Sequence, residues 1–194
     1  MVNQPLRIST TVALTETDLI LTYEVENRAA RDVYLLNRLY TLTPRFTFNR
    51  NLVYIYFMPE TSTIWLNKKL PSIPLDRSLL TPFAPYVTPV RAGERFAERV
   101  EIPMPLEERK PYEPWPLPAA PAQAQTYRHL YFTVGYYWSV KGIREETRDI
   151  GGAKALIPLV PAGRRLECGE LSGPVHDLNV QVLKRHASRD QGRP

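Results

Sequence analysis

Cysteine is almost missing from this chain: Cys168 is the only one in 194 residues. No internal disulfide can form, and the composition points to a reducing compartment, the cytoplasm. Histidine is nearly as scarce. His129, His176 and His186 are scattered, and no two stand at i, i+2 or i, i+4, so neither a metal centre nor a cofactor is expected where three or four clustered ligands would be needed. Long apolar runs are lacking too. The longest, LVYIYFMP at 52–59, is far too short to cross a bilayer. The N-terminus has Arg7 but no continuous apolar stretch of the kind a secretory signal needs. No membrane contact is expected.

Helical periodicity is equally thin. Only IREETRDI, residues 143–150, has helix-compatible spacing, with Ile143 and Ile150 a heptad apart, and Gly151-Gly152 stops it. LDRSLL at 75–80 allows at most a short helical turn. No segment repeats at a solenoid period.

What the chain has instead is alternation with a period of two, which places successive side chains on opposite faces of a strand. In LILTYEVEN, Leu19, Leu21, Tyr23 and Val25 point one way and Ile20, Thr22, Glu24 and Glu26 the other. Leu6, Ile8, Val12 and Leu14 alternate with Arg7, Ser9 and Thr11, and TETD at 15–18 supplies the turn between the two runs. VYLLNRLY (33–40), NLVYIYFM (51–58), STIWLN (62–67) and VHDLNVQVLK read as further strands, and KALIPLV as a weaker one. In VRAGERFAERVEIPM, Phe96, Val100 and Ile102 share a face on which Glu98 is a misfit that an edge position would excuse. TYRHLYFTVGYYWSV is the strongest strand, with Leu130, Phe132, Val134, Tyr136, Trp138 and Val140 inward. About seven to nine short strands with little helix define an all-β, antiparallel β-sandwich, in which each of two sheets buries one face.

The formal net charge of +5 is concentrated at one end. Lys184, Arg185, Arg189 and Arg193 against Asp190 give the last eleven residues +3 and leave +2 for the rest. Residues 1–186 therefore read as one domain and 187–194 as a basic tail, through which alone nucleic acid could be contacted. The 19 prolines gather between strands, at Pro71, Pro74, Pro82, Pro85 and Pro89 and again in PMPLEERKPYEPWPLPAAPAQ, 103–123. The second stretch lies between two strands that one sandwich requires, so it reads as a long loop. Its Tyr112, Trp115 and Leu117 exceed what a spacer needs.

LTYEVENRAARDVYL, VRAGERFAERVEIPM and YFTVGYYWSV together resemble bacterial immunoglobulin-like modules, including the intracellular proteinase inhibitor type. The resemblance covers about a quarter of the chain and implies an immunoglobulin-like sandwich with long proline-rich loops. It implies nothing about partners.

Catalytic chemistry is hard to assemble from these residues. ECGELSGPVHD brings Cys168, Ser172, His176 and Asp177 close in sequence, but on a strand Asp177 points away from the face of His176 and cannot orient it. GGAK at 151–154 lacks the spacing of a phosphate loop. A hydrolase or ligand-binding enzyme using Cys168, His129 or His176 is the alternative reading. The leading expectation is a non-enzymatic interaction or structural module. Its partner-binding face is the side of the strongest strand that carries Tyr127, His129, Tyr131 and Tyr137. Trp115 of the proline-rich loop either joins that face or covers it, and Tyr54 and Tyr56 on another strand could extend it. Tyrosine suits such a role because its body is apolar and its tip polar.

Overall fold

Residues 4–41, 47–71, 86–111, 122–150 and 152–185 are described by the computed structural model of the chain. Strands β1 (Leu6–Leu14) and β2 (Asp18–Asn27) form an antiparallel hairpin in which Leu14 faces Leu19 and Leu6 faces Asn27. TETD turns it: the Thr15 amide donates to the Asp18 carbonyl at 2.8 Å, and Thr15 Oγ1 accepts from the Asp18 amide at 2.9 Å. Leu19, Leu21, Tyr23 and Val25 are all buried, as the alternation requires.

The chain continues through β3 (Val33–Leu35), β4 (Tyr40–Thr41), β5 (Thr47–Phe48), β6 (Tyr54–Met58), β7 (Thr63–Lys68), β8 (Thr88–Val90) and β9 (Arg95–Pro103). After these come β10 (Leu106–Glu107), β11 (Ala122–Trp138), β12 (Arg144–Ile150), β13 (Ala153–Leu159), β14 (Cys168–Ser172) and β15 (His176–Arg185). The fifteen strands among the described residues exceed the expected seven to nine because VYLLNRLY splits in two and five segments not expected as strands, β5, β8, β10, β12 and β14, also pair. VYLLNRLY breaks after Leu35, where the Leu36 amide turns to the Gly135 carbonyl at 2.8 Å and buried Asn37 donates to the Tyr23 hydroxyl at 3.3 Å.

IREETRDI, the one stretch with helix-compatible spacing, forms strand β12, paired antiparallel with β13. Gly152 adopts φ +82° at the turn and its amide donates to Asp149 Oδ1 at 3.0 Å, a left-handed conformation that glycine adopts without strain. No α-helix occurs among the described residues; the one helical piece is a 3₁₀ turn, Pro59–Thr61. LDRSLL lies outside the described residues, as does 112–121 of the proline-rich stretch.

Strands β1, β2 and β9 form one sheet. An eight-stranded sheet is organised around β11, whose 17 residues change neighbours along their length, and β4–β5 and β12–β13 form two further two-stranded sheets. On one edge β15 runs beside 122–130 and β14 beside 133–137; on the other β7 runs beside 129–134 and β3 beside 136–138. The β7–β11 and β10–β15 pairings are parallel, which corrects the expectation of a wholly antiparallel sandwich. Between the β1–β2–β9 sheet and the β11 sheet Tyr23 meets Phe132 with ring centroids 4.7 Å apart. Around them pack Leu21, Val100, Ile64, Leu66, Leu130 and Val182 in one continuous core.

Glu98 is not relieved by its edge strand. Its side chain is 9% exposed and reaches across the core to Lys68, which is 0% exposed, at 2.6 Å. The same carboxylate oxygen accepts from the Tyr23 hydroxyl at 2.6 Å, and Lys68 also donates to the Arg50 carbonyl at 2.6 Å. Burial pushes the Lys68 pKa down, against the pull of Glu98, and burial followed by that carboxylate pushes the Tyr23 hydroxyl well up.

The opposite face of the β11 sheet is partly roofed by the β12–β13 hairpin. Ile143, Leu156 and Leu166 pack over Tyr34, Leu36, Val87 and Tyr137. A polar clamp holds the hairpin: Tyr34 donates to Glu145 Oε1 at 2.7 Å, and Arg91 reaches both oxygens of Glu145 at 2.6 and 2.8 Å and Asp32 at 3.0 Å. Burial, then the Glu145 carboxylate, raises the Tyr34 pKa to about 12. The unfolded hydroxyl ionises near pH 10, so the folded state alone keeps this proton between about pH 10 and 12. The contribution is complete below pH 10 and lost as pH rises through 12. Between those values wild-type stability should fall more steeply than that of Tyr34→Phe in denaturant titrations. Parallel pH profiles for the two proteins would show that the clamp does not hold that proton.

Candidate functional site

Strands β6, β7 and β11 lie side by side, and their registers set Tyr56 opposite Trp65 and Trp65 opposite Tyr131. The three side chains project from the face away from the main core and form a row across three strands. Tyr56 and Trp65 have ring centroids 5.0 Å apart at 30°, and Trp65 and Tyr131 6.1 Å apart at 11°. All three are half-buried. Cross-strand aromatic pairs of this kind contribute roughly 0.5–1.5 kcal/mol each beyond their buried area. The row is also fixed by polar contacts. Trp65 Nε1 donates to Thr133 Oγ1 at 2.9 Å, and the Lys69 ammonium sits 4.6 Å from the Trp65 ring centre while pairing with Glu170 at 2.9 Å. Burial, then Glu170, raises the Tyr131 pKa. Next to Trp65 on the same face, buried Asn67 has no hydrogen-bond partner for either amide atom among the described residues.

The expected face divides. Tyr131 and His129 are half-buried on it, but Tyr127 and Tyr137 are each 3% exposed. Tyr127 enters the main core beside Phe57, with centroids 5.3 Å apart. The cause is a bulge: the register against β15 shifts between Tyr127 and His129, which reverses the alternation. Tyr137 keeps its parity but is covered by the hairpin, its ring centroid 5.8 Å from that of Tyr34 and tilted 41° to it. Trp115 and the basic tail lie outside the described residues. Trp65 was missed as a site residue; the signal available was its place in STIWLN, opposite in parity to Ile64 and Leu66.

The residues of the hydrolase reading are held apart. Cys168 stands opposite Tyr137 and His176 opposite Leu130 on the same strand, a separation of roughly 23 Å at about 3.3 Å per residue. His176 Nε2 contacts Thr10 Oγ1 at 2.7 Å. Asp177 contacts His129 Nδ1 at 2.8 Å on the exposed surface. Ser62, in the left-handed region at φ 51°, accepts at its hydroxyl from the Arg128 amide at 3.2 Å, so the His129–Asp177 pair has no hydrogen-bonded nucleophile among the described residues. Exposed Cys168 contacts the Leu166 carbonyl at 3.7 Å. It borders a cavity of about 400 Å³ with Leu36, Tyr137 and Leu166 in its walls. No group of three or more His, Cys, Asp or Glu that could hold a metal occurs among the described residues, and no helix there is long and apolar enough to cross a membrane.

These features define an all-β protein of stacked sheets with a half-exposed aromatic row. Compared with known protein families, with characterised proteins and with solved structures, the chain matches none.

Proposed function

We propose that this chain is a non-enzymatic interaction module, an immunoglobulin-like sandwich that works in the cytoplasm and presents the row Tyr56–Trp65–Tyr131 to a protein partner. Its proline-rich segments are further contacts for that partner. The observation that carries the reading is the row itself: three aromatic side chains in register, held upright by Thr133 and Lys69, and left half-exposed where their neighbours Tyr127 and Tyr137 are buried. Pre-ordered aromatic groups lose little entropy on binding and bury a large area, which is why they concentrate the energy of protein interfaces. The exposed free thiol of Cys168 suits a reducing compartment.

The test is the double variant Tyr56→Ser/Tyr131→Ser in the full chain. These side chains are outside the main core, so the cooperative thermal transition should survive. Affinity for a partner isolated with the wild type, or for a second copy measured by light scattering, should drop at least tenfold, on the order of 1.4 kcal/mol or more. A wild type that is monomeric and retains no stoichiometric partner, or a double variant that binds as the wild type does, would sink the reading.

A further inference from the structure

Away from the aromatic row, two strand edges face each other with their backbone groups unspent. In β1, the Arg28 amide donates to Pro5, and the register carries that bonded parity to Arg7–Glu26 and Ser9–Glu24. The intervening residues, Leu6 and Ile8, therefore turn their N–H and C=O groups outward. In β14, the Gly173 amide donates to Phe132 and the Trp138 amide to Glu167. The bonded parity in that ladder is thus 167, 169, 171 and 173, and Glu170 and Ser172 turn theirs outward. None of these outward groups has a hydrogen bond among the described residues.

The two edges converge where a Cβ added at Gly173 would lie 2.6 Å from Thr10 Cγ2, next to the Thr10–His176 contact. From there they open into a cleft of about 660 Å³ between residues 4–8 and 170–172. Its floor includes the half-buried ring of Tyr136, which lies over Gly169; a side chain at that glycine would come within 2.5 Å of Tyr136 Cζ. Ile8 and Leu171, both packed against the core, form the apolar walls, and Arg7 and Glu170 stand at the rim.

We infer that this cleft is a strand-addition site for an extended segment of a partner protein. The segment would be about four residues long at ~3.3 Å per residue, paired through its backbone with Ile8 or Glu170 and carrying one apolar side chain inward between Ile8 and Leu171. A row of outward donors and acceptors is a template for another strand, and the alternate side chains of the incoming strand supply selectivity. The opposite charges at the rim favour a segment neutral overall. This site lies apart from the aromatic row, although Glu170 at its rim is also the ion-pair partner of Lys69, which sits over Trp65.

The probe is the synthetic peptide acetyl-Thr-Val-Thr-Val-Thr-amide, added to the full 194-residue chain while backbone amide exchange is followed residue by residue. In the free chain the Ile8 and Glu170 amides should exchange fast while those of Arg7, Ser9, Gly169 and Leu171 are protected. With peptide, exchange at Ile8 or Glu170 should slow by about tenfold or more. Ile8→Pro and Ser172→Pro each remove an outward donor that no ladder uses, a change edge strands tolerate, and each should abolish the slowing at the outward amide left on its own edge, Leu6 or Glu170; the second variant keeps the test open if the first does not fold. Protection of both amides in the free chain would mean the edges are already covered, and would overturn the proposal. So would peptide that slows neither amide, or that acts equally on both proline variants. Slowing produced by raising the concentration of the chain alone would assign the cleft to a second copy and overturn the choice of occupant.

Discussion

Lys68→Met should lower the unfolding free energy by about 3–5 kcal/mol, the loss expected when one member of a buried ion pair is removed. The substitution keeps most of the side-chain volume, so the loss would report charge rather than a cavity. Glu98 would be left 9% exposed with, among the described residues, only the Tyr23 hydroxyl as donor, and an uncompensated carboxylate in a core costs several kcal/mol. Adding Glu98→Gln should recover part of the loss. The amide oxygen can still accept from Tyr23, and no unpaired charge remains, so the double variant should exceed Lys68→Met by at least about 1 kcal/mol in a double-mutant cycle. Denaturant titrations of the four proteins decide this. A Lys68→Met protein within about 0.5 kcal/mol of wild type would mean that Lys68 does not bridge the sheets in solution.

Phe132→Ala should have an effect of similar size, about 3–5 kcal/mol, because a fully buried ring leaves both its transfer energy and a cavity behind. Phe132 sits at the centre of β11 against Tyr23, with the core closing on every side. Trp138 is the larger residue, but it lies at the strand's end, 8% exposed, with the Arg31 guanidinium 4.4 Å from its ring centre. Water and Arg31 can partly refill its place, so Trp138→Ala should cost less than Phe132→Ala. The reverse order would mean that the packing centre lies toward the β3 end of the sheet.

These two sites show where the sequence was legible. The inward parity of Leu130, Phe132 and Val134, and of Leu19 to Val25, follows from alternation alone, because each strand buries one face and a slip would expose every apolar side chain. Glu98 could be recognised as a misfit, but its partner could not: Lys68 is 30 residues away, and pairing across a core is not written in local pattern. Tyr127 failed for a related reason, since a bulge between Tyr127 and His129 depends on the register of β15. Tyr137 failed because IREETRDI carries a heptad spacing and also an alternation of charges. The contacts of Glu145 with Arg91 and Tyr34 decide between helix and strand there. The aromatic row was half visible. Tyr131 and Tyr56 could be placed on outer faces, but the parallel pairing of β7 with β11 that brings Trp65 between them joins residues 66 positions apart in the chain and cannot be read locally.

The claim that matters most is that the face carrying Tyr131 meets another protein, and a photo-crosslinker in place of Tyr131 addresses it most directly. A benzophenone side chain introduced there, with a second protein carrying the same group in place of Arg99 on the exposed outer face of the β1–β2–β9 sheet, should be irradiated in native lysate. A discrete adduct of defined mass from position 131, absent from position 99 and lost when Tyr56 is also changed to serine, is the result expected. No adduct from position 131, or the same adducts from both positions, would contradict the assignment of the aromatic row as the partner-binding face.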